Sequence, residues 1–221
     1  MELAVGKATF RPSTVSSLLA DALTFRPGAV VIDAGCGSGV LSIIAAKLGA
    51  ARVYGVDAAE ETVEIATSNA RAHGVAELTE FYQGDLFEPL PEGMKADVLI
   101  GDVSGIPDQL ARATGWFPSG LSGGPTGAEL PIRMIEGARD FLTRGGRMFL
   151  PTGSLQDEES ILGKARAAFA GIRQLSERNI PLPSTIADNT AVVDLIKEKI
   201  INVTQRGSRM LWTARIWELK V

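Results

Sequence analysis

An α/β fold is predicted for this chain, a doubly wound, mostly parallel sheet of seven strands that ends in an antiparallel pair. Three observations predict it. Short apolar runs alternate with segments of helical periodicity, the first such run passes directly into a glycine-rich turn and a helix, and the last quarter of the chain holds two further strand-like runs. At 221 residues and 23.4 kDa the chain is long enough to bury one sizeable core. A single domain over 1–221 is expected, with a helical segment at 1–27, a core at 28–151 and closing strands and helices at 152–221.

Each element has its own signal. Pro12-Ser13-Thr14 precedes VSSLLADAL, where Val15, Leu18, Leu19 and Ala22 recur at helical spacing behind a Ser or Thr cap, so a short helix opens the chain. Pro27-Gly28 breaks it, and AVVID reads as the first buried strand. The turn after it feeds SGVLSIIAAKL, a helix with Leu41, Ile44, Ala45 and Leu48 on one face. ARVYGVD and AEETVEIATSNARAHG repeat the strand-helix unit, with Gly74 where a residue past a helix end favours glycine. LTEFYQGD, ADVLIGD and GRMFLPT are the third, fourth and fifth strands. GAELPIRMIEGARDFL sets Leu130, Met134, Ala138 and Phe141 near one face, and DEESILGKARAAF starts acidic, as suits the positive end of a helix dipole. IRQLSERNIPLP and RMLWTARIWELK close the sheet as an antiparallel pair, with a helix around AVVDLIKEKI between them. Residues 103–127 are rich in Gly, Pro and Ser and too long for a plain connector, which makes them a functional loop or lid.

Composition removes several classes of function. Hydrophobic residues make up 45% and charged residues 22%, the balance of a folded globular chain. No apolar run approaches the roughly 18 to 20 residues of a membrane span, and MELAVGKATF lacks the apolar core of a secretion signal, so a cytoplasmic protein with no membrane partner is expected. One cysteine, Cys36, and one histidine, His73, make a poor inventory for a disulfide, a structural zinc or a cysteine–histidine nucleophile pair. His73, beside Gly74, reads as a solvated helix-terminal residue. The net charge is −4, and residues 61–130 alone carry 3 basic and 11 acidic side chains. That acidic block opposes extended nucleic-acid binding, leaving Arg206, Arg209 and Arg215 as the one basic patch to consider. Trp212, Ile216, Trp217 and Leu219 read as sheet core or interface rather than a stacking platform.

The strongest chemical signal is VIDAGCGSG, where Asp33, Gly35, Cys36, Gly37 and Gly39 join an apolar strand to an amphipathic helix. Glycines let the backbone turn sharply and approach a ligand, and the helix aims free amide groups at it. A dinucleotide fingerprint needs a glycine three residues after the second, and Val40 stands there instead. Asp57 ends the second strand, 22 residues after Gly35, where a carboxylate can accept hydrogen bonds from ribose hydroxyls or cap the next turn.

With that motif in place, residues 28–151 resemble the class I S-adenosylmethionine-dependent methyltransferases. The resemblance implies that Asp33 and the glycine turn border the methionine part of the cofactor. It also implies that Asp57 and Ala58 lie at the ribose, and Gly84, Asp85 and Leu86 at the adenine. Within that class, GDLFEPL, ADVLIGDVSGIP and GGPTGAELPIRMIEGARDFLTRGGRMFL look like the branch of release-factor glutamine methyltransferases and small-domain N-methyltransferases. The branch's Asn-Pro-Pro-Tyr is replaced by Gly101-Asp102-Val103-Ser104, so its glutamine substrate is not carried over. Asp102 is the main catalytic candidate, able to orient an amine, take its proton, or bind the cofactor's amino group, and Ser104 is a second. Phe10 and Arg11, by resemblance, and Trp116 and Phe117, from the long loop, are candidate substrate contacts. The expected acceptor is an amine or other nucleophile on a small molecule or protein segment, and a homo-oligomer is compatible with the sequence. Two other readings stay open: a catalytically silent cofactor-binding module and a nicotinamide-dependent oxidoreductase.

Overall fold

The computed structural model describes residues 1–6, 12–115 and 122–221. Its elements run α1 (Thr14–Ala22), β1 (Val30–Ala34), α2 (Val40–Lys47), β2 (Arg52–Asp57), α3 (Thr62–Ala72), β3 (Thr79–Gln83), β4 (Ala96–Gly101), α4 (Asp108–Thr114), α5 (Glu129–Phe141), β5 (Leu142–Gly153), α6 (Glu158–Ala168), β6 (Gly171–Pro181), α7 (Ser184–Ala187), α8 (Thr190–Lys197), β7 (Thr204–Arg206) and β8 (Arg209–Lys220). The sheet order is β3-β2-β1-β4-β5-β8-β6, with β7 paired to β8. β3 through β5 are parallel, and β8 runs antiparallel between β5 and β6. This is the expected α/β sheet with one addition, the short exposed strand β7. It is a three-residue polar run, TQR, and it pairs with β8 across the two-residue turn Gly207-Ser208. The long-loop expectation is also corrected in part, because residues 108–114 within it form helix α4.

Period-two alternation builds both faces of the sheet. Val31, Val53, Val98, Ile100, Phe149 and Ile216 pack with α1, α2 and α3, while Ile32, Val56, Leu99, Met148, Leu150 and Leu219 pack with α5 and α6. The predicted face of α5 is broader than expected: Met134 and Ala138 are buried and Phe141 packs partly buried against the same cluster, Pro131 and Ile135 are buried with them, and Leu130 lines the cavity described below. A third cluster of Leu110, Leu155, Leu182, Ile186, Val192 and Leu195 joins α4 to α7 and α8, so the C-terminal excursion is packed over the long loop.

Two features aim these elements at the carboxyl ends of the strands. The chain runs outward from β1 through β2 to β3 and then returns to β4 on the other side of β1, which opens a crevice between those strand ends. On the helical face over α1, Glu218 of β8 is 1% exposed and accepts hydrogen bonds from Arg147 (2.8 Å) and Arg173 (3.0 Å). Burial pushes its carboxyl up, but those bonds and the nearby Lys220 outweigh it and hold the group below the ordinary glutamate range. Arg147 also donates to the carbonyl of Thr24, just past α1, so the buried carboxylate ties that helix to the sheet. Replacing Glu218 with Gln keeps the shape but removes the charge that both guanidiniums address. Urea denaturation is expected to show a loss of about 1.5 to 3 kcal/mol, the usual worth of hydrogen bonds to a charged group.

Candidate active site

A cavity of about 940 Å³ lies at the carboxyl ends of β1, β2, β4 and β5. Its walls include Gly35, Cys36 and Gly37 of the glycine turn, Asp57 and Ala58 after β2, Gly84, Asp85 and Leu86 after β3, and Asp102 and Ser104 after β4. The sheet thus brings together most of the candidates named from sequence. Asp33 and Gly39 stand behind that wall. Phe10, Arg11, Trp116 and Phe117 lie outside the described residues.

The glycine turn is shaped by close approach. Gly35 has φ +80°, and a Cβ there would come within 2.5 Å of the Asp102 carbonyl oxygen, so the turn and the loop after β4 touch backbone to backbone. Gly35 and Cys36 donate to the carbonyl of Val56, and the Asp102 amide donates to that of Ala34, which fixes the turn between its neighbouring strands. Asp57 spans it from the other side. Its Oδ2 accepts the Gly37 amide and its Oδ1 the Ala59 amide, both at 2.9 Å, and each oxygen keeps a second lone pair for a ligand hydroxyl. Asp85 is paired with Arg133 of α5, which fixes the loop carrying Leu86, a non-glycine residue at φ +52° facing the cavity.

Asp33 is wholly buried and does different work. Gly39 at the N-cap of α2 offers no side chain, and Asp33 Oδ2 accepts the Ser42 hydroxyl at 2.6 Å from the first turn of that helix. Its Oδ1 has no partner among the described residues. Burial, partly offset by the Ser42 bonds and reinforced by the charges of Asp102 and Asp57, pushes Asp33 up to about 7. Asp102 is pushed up to about 6 by burial, against a 2.9 Å hydrogen bond from the Ser16 hydroxyl. Among the described lining residues the charged side chains are Asp57, Asp85 and Asp102, all acidic.

Several contacts of the site carry no local sequence signal. Ser16 reaches Asp102 across 86 residues, and it also accepts the Ser13 amide in the capping box of α1, so the helix cap positions the carboxylate. Asn69 on α3 is buried and clamps residue 4: its Oδ1 accepts the Ala4 amide, and its Nδ2 donates to the carbonyls of Ala4 and Ser38. That clamp lays Val5 and Gly6 along the cavity rim. His73, read as solvated, lies 2.7 Å from the carbonyl of Glu2 and holds the same segment. Trp212, read as sheet core or interface, packs against the third cluster and also stands in the cavity wall with Gln156 and Ile180, whereas Trp217 packs on the second cluster and donates to Thr152. Arg215 is paired with Glu158 and Glu177, so the candidate basic patch with Arg206 and Arg209 does not form.

Known proteins share this arrangement. Among solved structures the chain is similar to the precorrin 8W decarboxylase of Methanobacterium thermoautotrophicum at TM-score 0.60, 18% identity, over 97% of this chain and 95% of that one. It also matches a ribosomal protein L11 methylase of Lactobacillus delbrueckii at TM-score 0.55, 17% identity, over 91% and 75%. The family model of ribosomal protein L11 methyltransferases matches residues 3–106. Over those residues the chain is similar to S-adenosylmethionine-dependent methyltransferases, and its fold is the α/β fold of the solved structures it matches. The L11 methyltransferase of Caldanaerobacter subterraneus is 46% identical over 87 residues, 39% of this chain and 26% of that protein. The chain therefore spans about a quarter of the length of that relative. The partial family match is to L11 methyltransferases, whereas the loop motifs resemble the release-factor branch. No helix among the described residues is long and apolar enough to cross a membrane.

Two outcomes follow from the carboxylates. Asp33 and Asp102 bind their protons more tightly folded than unfolded, so their contribution to stability is full below about pH 4 and is lost as the pH rises through about 6 to 7. Thermal unfolding of the ligand-free chain between pH 5 and 8 should show a falling midpoint, and Asp33→Asn should flatten the fall. Asp57→Ala should weaken S-adenosylhomocysteine binding by about 1.5 to 3 kcal/mol in calorimetry, and an unchanged affinity in a folded variant would remove Asp57 from the site.

Proposed function

We propose that this chain transfers a methyl group from S-adenosylmethionine to a nitrogen nucleophile held at Asp102. The observation that carries the reading is the convergence of the glycine turn, Asp57 and Asp102 on one cavity at the switch point of the sheet. Two details support the fit of the cofactor to these residues: the backbone cradle at Gly35 that a Cβ would fill, and the unpartnered Oδ1 of buried Asp33 beside it. When bound, the cofactor supplies a methyl group on a positively charged sulfur.

The residues of the chain then have separable tasks. Asp57 and the amides of the glycine turn would hold the ribose and the amino-acid part, and Leu86 would lie against the base. Asp102 accepts a hydrogen bond from the acceptor's N–H, turns its lone pair toward the methyl group and takes the proton. Burial makes it a stronger base than an ordinary aspartate while leaving it ionised at neutral pH. The apolar walls exclude water, and holding two reactants in line supplies much of the rate, on the order of 7 to 11 kcal/mol for well-oriented partners.

A polypeptide amine is the acceptor class supported by the likeness to L11 methyltransferases. Radiolabelled methyl transfer should be assayed on purified ribosomal protein L11 beside a panel of small amines, and label on neither would remove this acceptor assignment. With an acceptor found, Asp102→Asn should keep the Ser16 bond and the affinity for S-adenosylhomocysteine while lowering single-turnover transfer about a hundredfold or more. The wild-type rate should climb with pH through about 6 as Asp102 ionises. Full single-turnover activity in the variant would overturn the base assignment.

A further inference from the structure

Four side-chain or backbone features meet at the end of the cavity away from Asp57. Ser104 lines it, and its Oγ is buried with no partner among the described residues. Gln156, just after β5, is 9% exposed, and its Nε2 is likewise buried and unpartnered. Gly105, next to Ser104 in the chain, lets Gln156 approach the loop after β4, since a Cβ there would stand 2.3 Å from Gln156 Oε1. Trp212 closes the wall, its ring lying where a Cβ on Gly153 would meet it at 2.9 Å.

The placement of these groups is fixed from behind. The Asp157 amide donates to the carbonyl of Thr126, so the turn at 122–127 holds the chain just after Gln156. Thr126 in turn is bonded through its amide and hydroxyl to Glu129, and Gly127 packs on the carbonyl of Gly105. Buried polar atoms are normally satisfied, and a rigidly held pair that is not satisfied internally is suited to a ligand. Both can donate, Ser104 through its hydroxyl and Gln156 through its amide N–H groups.

We propose that Ser104 and Gln156 form the specificity subsite for the acceptor, and that they bind an uncharged carbonyl-type oxygen of it, such as a backbone amide carbonyl of a polypeptide, in the part of the cavity that Trp212 also lines. The proposal rests on the methyl-transfer reading of the same cavity and adds the chemistry of its substrate. Charge decides between the oxygens a donor pair could take. The described lining holds three carboxylates and no Lys, Arg or His, so a carboxylate or phosphate would enter against like charge with no cation to meet it. A neutral amide or ketone oxygen meets the two donors without that cost, and the adjacent Asp102 remains free for an N–H of the same acceptor. Val103, Ile106 and Leu155 give the surrounding wall its apolar character.

Benzamide, benzoate and ethylbenzene serve as probes, because they share a ring and differ in the group presented to the donors. Ligand-observed NMR titration is run on the full chain with and without saturating S-adenosylhomocysteine, whose own affinity is measured by calorimetry. Benzamide should bind more tightly than benzoate by about tenfold, and Gln156→Leu should weaken benzamide about tenfold while moving ethylbenzene less than twofold. Ser104→Ala, a smaller change that guards against misfolding of the first variant, should weaken benzamide in the same direction. Unaltered affinity for S-adenosylhomocysteine in both variants shows that the cofactor side is intact. Benzoate binding as well as benzamide, no benzamide binding to the wild type, or benzamide affinity unchanged in folded Gln156→Leu and Ser104→Ala would each overturn the subsite. Failure of the wild type to bind S-adenosylhomocysteine would instead overturn the methyl-transfer reading, while the fragment titrations without it still decide the subsite.

Discussion

Backbone contact between Gly35 and Asp102 is the constraint on which the site depends. β1 and β4 are neighbours in the sheet, and their carboxyl ends turn in opposite directions, one toward α2 and the other toward the long loop. Because the first residue after β1 has no side chain, the second loop can settle against it, with the would-be Cβ position only 2.5 Å from a carbonyl oxygen. The glycine turn and the loop after β4 therefore share one wall. A larger residue at position 35 would push the loop after β4 outward, and Asp102 with it, before any ligand contact was considered.

The same economy runs through the carboxylates. Asp57 holds the glycine turn by two amide bonds and still has lone pairs for a ligand, so one residue both builds the site and faces it. Asp33 has withdrawn to the first turn of α2 and acts on the cavity through the wall it supports. Asp102 is held by Ser16, and α1 is held in turn through Arg147 to Glu218. A buried ion pair on the far side of the sheet thus contributes to where a reacting group stands.

Much of the frame was legible because periodicity is local. The runs AVVID, ARVYGVD and ADVLIGD alternate their side chains between two buried faces, and a stretch that is apolar on both reads as parallel strand without knowledge of its neighbours. Asp57 and the glycine turn were legible for the same reason, since strand, turn and helix are contiguous. The contacts of Ser16, Asn69 and Gln156 were not, because each joins residues that the chain separates widely and only the packed sheet brings together. Strand β7 was missed because three exposed polar residues carry no alternation, and helix α4 because Gly and Pro on either side masked seven residues of ordinary helix former. Trp212 was read as core or interface, and it does pack against a buried cluster, but the composition of β8 says nothing of the cavity at its amino end that the same ring also lines.

The acidic lining has a bearing on turnover as well as on binding. A cavity whose described charges are all negative discriminates between two ligands of nearly identical shape when one carries a positive sulfur and the other a neutral thioether. In the proposed reaction the spent cofactor would lose the charge that the field favours at the moment the methyl group leaves. The field of such a cavity would then favour the fresh donor over the product.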